Sequence, residues 1–136
     1  MLPHKHFLIS SAAAVPFALA TPGWILISGF VSAAVDLDVI ALVWLRSGNE
    51  ERLKQFRDPA AIFCRFDAFM DAITETGVLK TAMKTHLVSC AVILALAALF
   101  WQPHFAPLAA GVAAHLLSDV PNVIRLRRAG SRAAAE

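Results

Sequence analysis

Residues 24–45 read WILISGFVSAAVDLDVIALVWL, an apolar run whose only charged groups are Asp36 and Asp38. A helix needs about 20 apolar residues to cross about 30 Å of hydrocarbon, so this run is long enough to span a bilayer. An Asp near the middle of such a helix costs about 2.5 to 3.5 kcal/mol on insertion scales. Two of them demand compensation by a metal, a shared proton or interhelical hydrogen bonds.

Three further apolar stretches flank this one, and together they predict spans over residues 6–20, 24–45, 82–101 and 105–124. The expected fold is all-α, one integral membrane domain over 1–136: a bundle of four transmembrane helices with a cytoplasmic amphipathic helix between the second and third. Composition agrees, since 58% of residues are hydrophobic, only 16% are charged and the mean hydropathy is +0.64. A soluble domain is nearer half apolar and a quarter charged. The first and fourth stretches are short for a span and should tilt or borrow flanking residues. A net charge of +2 gives no footprint for nucleic acid. Cys64 and Cys90 are too few for a disulfide framework.

Charge placement sets the orientation. Every Lys and Arg falls at Lys5, between Arg46 and Lys84, or between Arg125 and Arg132, whereas the connections 21–23 and 102–104 carry none. The positive-inside rule therefore puts both termini and the central segment in the cytoplasm and the two short turns outside. Trp24 and Trp101 at the outer turns, with Trp44 beside Arg46, fit an aromatic belt. The location implied is the inner (plasma) membrane, multi-pass. An alternative reads Lys5, the apolar run 7–17 and Ala18-Leu19-Ala20 as a cleaved secretory signal.

In the central segment, Asp58-Pro59 is an N-cap followed by proline at the first helical position, and Gly77 is a stop signal. Between them Ile62, Phe63, Phe66, Phe69, Met70 and Ile73 recur at helical spacing, predicting an amphipathic helix over 58–76 on the inner membrane surface. The acidic line Asp67, Asp71, Glu75 reads as its solvated face.

The buried polar groups fall at one depth. At about 1.5 Å per residue, His6, Asp36, His86, His115 and Asp119 lie about 15 to 22 Å from the outer ends of their helices. Each sits on a polar stripe: His115, Ser118, Asp119 and Asn122 on the fourth helix, Ser28, Ser32 and Asp36 on the second, His86, Ser89 and Cys90 on the third, His6 and Ser10 on the first. Four such stripes aimed inward make a polar core inside an apolar bundle. His and Asp at i, i+4 present an imidazole nitrogen and a carboxylate oxygen to one point, and further carboxylates and histidines complete a mixed site suited to Zn first and Mn second. The expected ligands are His6, Asp36, His86, His115 and Asp119. The simpler reading of His115 and Asp119 is an interhelical hydrogen-bond pair. Asp38 points about 200° away from Asp36 on a regular helix, so both reach one centre only if the helix breaks. Asp36 continues the serine stripe and is the better ligand, while Asp38 is the candidate general base. His104 lies in an outer turn as an interfacial residue.

This order of motifs, His6, Asp36-x-Asp38, Thr85-His86 and His115-Leu-Leu-Ser-Asp119, resembles the YdjM-type inner-membrane metal-dependent hydrolases over most of the chain except 47–78. The resemblance implies a multi-span helical protein with a His/Asp metal site and hydrolase activity, with phosphoester-cleaving zinc phospholipases and nucleases as distant relatives. A His-Arg pair usual ahead of the Thr-His is replaced by Thr81 and Ala82, and a Pro before the Asp-x-Asp by Val35. Loss of that His leaves one metal rather than two, or none. Access from the inner leaflet points to an amphiphilic or lipid-linked phosphoester, with Lys80 and Lys84 available for its phosphate. The non-catalytic alternative is an accessory subunit or an ion or proton conduit using the same residues.

Overall fold

The computed structural model describes residues 3–133, and every regular element among them is helical. In chain order these are α1 (Pro3–Ala14), α2 (Gly23–Val35), α3 (Leu37–Arg46), α4 (Glu51–Lys54), α5 (Pro59–Cys64), α6 (Phe66–Glu75), α7 (Val78–Phe100), α8 (Phe105–Ser118) and α9 (Val120–Ala133), with short 3₁₀ turns at Val15–Phe17 and Gln102–His104. The chain divides into two compact units. The first holds residues up to Asp36 and His86–Val120, and the second holds Leu37–Thr85 and the chain from Pro121 onward.

Two helical stretches are long and apolar enough to cross a membrane, Gly23–Arg46 and Val78–Phe100. Only 22% and 17% of their apolar windows are buried within the chain. The core helix of a water-soluble domain would be mostly covered, so most of this apolar surface faces outward.

The first unit buries a polar layer beside a small apolar cluster of Val35, Cys90 and Val112, and exposes apolar side chains on its outside. Helices α1, α2 and α8 pack closely together, and between them His6, Ser10, Ser28, Ser32 and His115 are all but inaccessible. Leu8, Leu19, Phe30, Leu99 and Phe100 are each more than 60% exposed on the outside of the same unit. Small residues make the approach possible. A Cβ on Gly111 would stand 2.9 Å from the Ser28 Cβ and 3.5 Å from the Ser10 Cβ, and one on Gly29 would stand 2.8 Å from the Phe7 ring. The Ser28 hydroxyl donates to the Pro107 carbonyl at 2.9 Å and so ties α2 to α8.

The second unit has a conventional apolar core of Val43, Leu53, Phe56, Ile62, Phe69, Met70, Ile73, Val78 and Leu79. In place of one helix over 58–76 the chain forms two, α5 and α6, because Arg65 leaves helical geometry at φ −131°, ψ 50°. Its guanidinium donates to Gln55 Oε1 at 3.0 Å and lies over the Phe56 ring. The cap at Asp58 forms as the sequence predicts, with the Ala60 N–H donating to Oδ1 at 2.9 Å. Gly77 follows α6 at φ +71°, the left-handed position that a glycine adopts without steric cost. The inward face of α6 is spent on this core, and of the expected apolar stripe Phe63 is exposed.

Candidate metal centre

Both candidate ligand carboxylates occupy interruptions of a helix. Asp36 follows α2 at φ −66°, ψ −16°, and Asp119 follows α8 at φ −91°, ψ −3°. Pro121 accounts for the second break, because a proline supplies no N–H to continue the i to i−4 ladder and restricts the residue before it. Neither proline nor glycine adjoins the first. His6 comes from α1, His86 from α7 and His115 from α8, so five side chains from four chain segments reach one point in the first unit.

The distances define that point. His86 Nε2 lies 3.2 Å from Asp36 Oδ1 and 3.9 Å from Asp119 Oδ2. His115 Nε2 lies 3.6 Å from Asp119 Oδ2 and 3.9 Å from Asp36 Oδ1. His6 Nε2 lies 3.5 Å from Asp119 Oδ1 and 3.9 Å from Asp36 Oδ2. One donor atom each from Asp36, His86, His115 and Asp119 falls within 4.8 Å of every other, a grouping that can hold a metal ion. A tetrahedron with ligands about 2.0–2.1 Å from zinc has edges of about 3.4 Å, the scale of the separations found here. The His6 and His115 rings are 4.3 Å apart, and His86 and His115 are 5.5 Å apart.

Burial makes the arrangement costly without a cation. Asp36, the most accessible of the five, is 8% exposed. No hydrogen bond among the described residues reaches His6 Nε2, His115 Nε2 or Asp36 Oδ2. These orphaned atoms face one another across the centre, where like-signed lone pairs repel and a buried carboxylate lacks its hydration. A positive charge placed among them satisfies all three, and the mixed imidazole and carboxylate donors suit a divalent transition metal.

The far sides of two rings are held by serines. His115 Nδ1 lies 2.9 Å from Ser32 Oγ, and His6 Nδ1 lies 2.7 Å from Ser118 Oγ. Both serines appear in the sequence as members of the polar stripes, but a partnership across helices depends on which faces meet and has no local signal.

Asp38 is placed differently. It lies on α3 in the second unit, where Thr85 donates its hydroxyl to Oδ2. Lys80 and Lys84, also in that unit, are exposed. His104 stacks on Trp24 at 4.3 Å with the rings 15° apart. Cys64 is exposed, Cys90 is buried, and no disulfide joins them.

Comparison with protein-family models, curated proteins and solved structures gives no match.

Proposed function

We propose that this chain is a four-span inner-membrane hydrolase that uses one divalent ion, zinc before manganese, to cleave a phosphoester from the cytoplasmic leaflet. The observation that carries the reading is the grouping of Asp36, His86, His115 and Asp119 at ligand spacing, with His6 Nε2 within 3.9 Å of both carboxylates and orphaned atoms turned toward one another. Its likeness in motif order to the YdjM-type hydrolases supports the same chemistry, and the outward apolar surface supports the bilayer. A bound divalent ion there would supply Lewis-acid polarisation of a phosphoryl oxygen and a more acidic water. The chain's part is to hold that charge with His6, Asp36, His86, His115 and Asp119 and to exclude bulk water by burying them. Asp38, the general base that the sequence suggests, belongs to the second unit, where the Thr85 hydroxyl donates to its carboxylate, and no step is assigned to it. Lipid-linked phosphoesters fit this reading, their tails remaining in the bilayer while the phosphate meets the centre.

A second reading, a non-catalytic accessory bundle or a proton or ion conduit, draws on the burial of all five residues, which helix pairing or transport would equally use. One experiment separates the two. Elemental analysis of protein purified without added metal is expected to give about one zinc or manganese per chain, lost in His115→Ala, with phosphoester hydrolysis lost in the same variant. Folded protein containing no metal sinks the hydrolase and leaves the conduit.

A further inference from the structure

The serine contacts fix more than ring position, because a hydroxyl carries a single proton. Ser118 Oγ lies 2.7 Å from the His115 carbonyl oxygen as well as 2.7 Å from His6 Nδ1. The carbonyl can only accept. Both contacts are hydrogen bonds only if Ser118 donates to the carbonyl and accepts from a protonated His6 Nδ1. The opposite assignment would press two oxygen lone pairs together at 2.7 Å inside the protein.

The same logic runs through a longer chain at His115. Ser10 Oγ lies 2.9 Å from the Gly111 carbonyl oxygen and 2.7 Å from Ser32 Oγ, which in turn lies 2.9 Å from His115 Nδ1. Ser10 has one proton for two neighbours, and the carbonyl has none to give. All three contacts are satisfied in one direction alone: His115 Nδ1–H donates to Ser32, Ser32 donates to Ser10, and Ser10 donates to Gly111. In a neutral imidazole with Nδ1 protonated, Nε2 carries the lone pair.

We propose that Ser118 and Ser32, the latter backed by Ser10, are positioning residues that lock His6 and His115 with Nδ1 protonated and so present both Nε2 lone pairs to the centre. This rests on the reading of the centre as a metal site and adds to it the residues that set its affinity. Outer partners of this kind typically change metal affinity about 10- to 100-fold when removed.

Ser28 provides the control. It lies one helical turn before Ser32 on the same stripe, is equally buried, and spends its hydroxyl on the Pro107 carbonyl. Full-length protein in detergent micelles, stripped of metal, is titrated with Zn²⁺ against a competing chelator. Ser118→Ala and Ser32→Ala are each expected to weaken binding about 10- to 100-fold, Ser118→Thr to retain the wild-type constant within a few-fold, and Ser28→Ala to bind as wild type while losing thermal stability. Wild-type affinity in both Ser118→Ala and Ser32→Ala overturns the proposal, as does an equal loss in Ser28→Ala. Nitrogen chemical shifts of ¹⁵N-histidine in the metal-free wild type give a measurement that needs no variant to fold: His6 and His115 are expected as Nδ1–H tautomers, and an Nε2–H form at either overturns the assignment. Wild-type protein that binds no Zn²⁺ yet shows Nδ1–H at both rings refutes the metal reading and leaves the tautomer assignment standing.

Discussion

At the scale of single residues, Asp119 carries opposite consequences in two states of the same protein. With a cation present, its 2%-exposed carboxylate compensates positive charge, and removing one partner of a buried ion pair costs about 3 to 5 kcal/mol. With the cation removed, the same carboxylate shares a buried centre with the second carboxylate, Asp36. Asp119→Asn is therefore expected to lower the melting temperature of the metal-loaded protein and to raise that of the chelator-treated protein. Calorimetry on both forms checks the inversion, and a variant less stable in both forms refutes it. Metal release on acidification belongs to the same account, since protons compete for the three imidazoles. Wild-type protein that keeps its metal at a pH where free histidine is fully protonated contradicts it. These residues were legible in the sequence because an apolar background makes a buried Asp or His conspicuous. The serine stripe already favoured Asp36 over Asp38 as a ligand, whereas the helix break at Asp36 and the Thr85 contact of Asp38 have no local signal.

At the scale of elements, the position of His115 depends on how closely α8 approaches α1 and α2. Gly111 lies one turn before it, and the nearest atom to an added methyl is the Ser28 Cβ, bound directly to backbone and unable to swing aside. Gly111→Ala is expected to cost about 1 to 3 kcal/mol by overpacking and to weaken Zn²⁺ binding, because the displaced helix carries His115. Gly48→Ala is the comparison, with nothing within 4 Å of its added methyl, and is expected to leave both quantities unchanged. Thermal melts and the same zinc titration test this pair, and equal effects at the two glycines would contradict it. Apolar run length and periodicity indicated an all-helical chain, but the split at Arg65 within 58–76 escaped them. The guanidinium contacts with Gln55 and Phe56 that accompany the split are tertiary, and hydrophobic spacing does not encode them. The expected spans 24–45 and 105–124 likewise run through the interruptions at Asp36 and Asp119, of which Pro121 accounts for the second.

At the scale of the whole molecule, the apolar exterior of the first unit and the clustering of Lys and Arg set the membrane reading. Water would penalise the exposure of Leu8, Leu19, Phe30, Leu99 and Phe100 on the outside of a unit that buries His6, His86, His115, Ser10, Ser28 and Ser32. Lipid reverses both terms, since it welcomes the leucines and forces polar groups to find partners inside. This organisation was legible from composition and run length, which report the solvent directly, whereas sidedness rests on charge bias alone. The native cysteines test that sidedness with little engineering. Cys64 is exposed in the central segment and Cys90 is buried, so a membrane-impermeant maleimide added to Cys90→Ala protein in intact cells should leave Cys64 unlabelled. Labelling should appear once the inner membrane is opened, because the positive-inside rule assigns the segments that carry the twelve Lys and Arg of the chain to the cytoplasmic side. In a Cys64→Ala, Cys90→Ala background, Gln102→Cys should behave oppositely and react in cells whose inner membrane is intact, since the turn that carries it has no basic residue to retain it inside. Cys64 reacting from outside would invert the orientation and move the proposed phosphoester to the opposite leaflet, while reaction of both positions from the same side would remove the span between them.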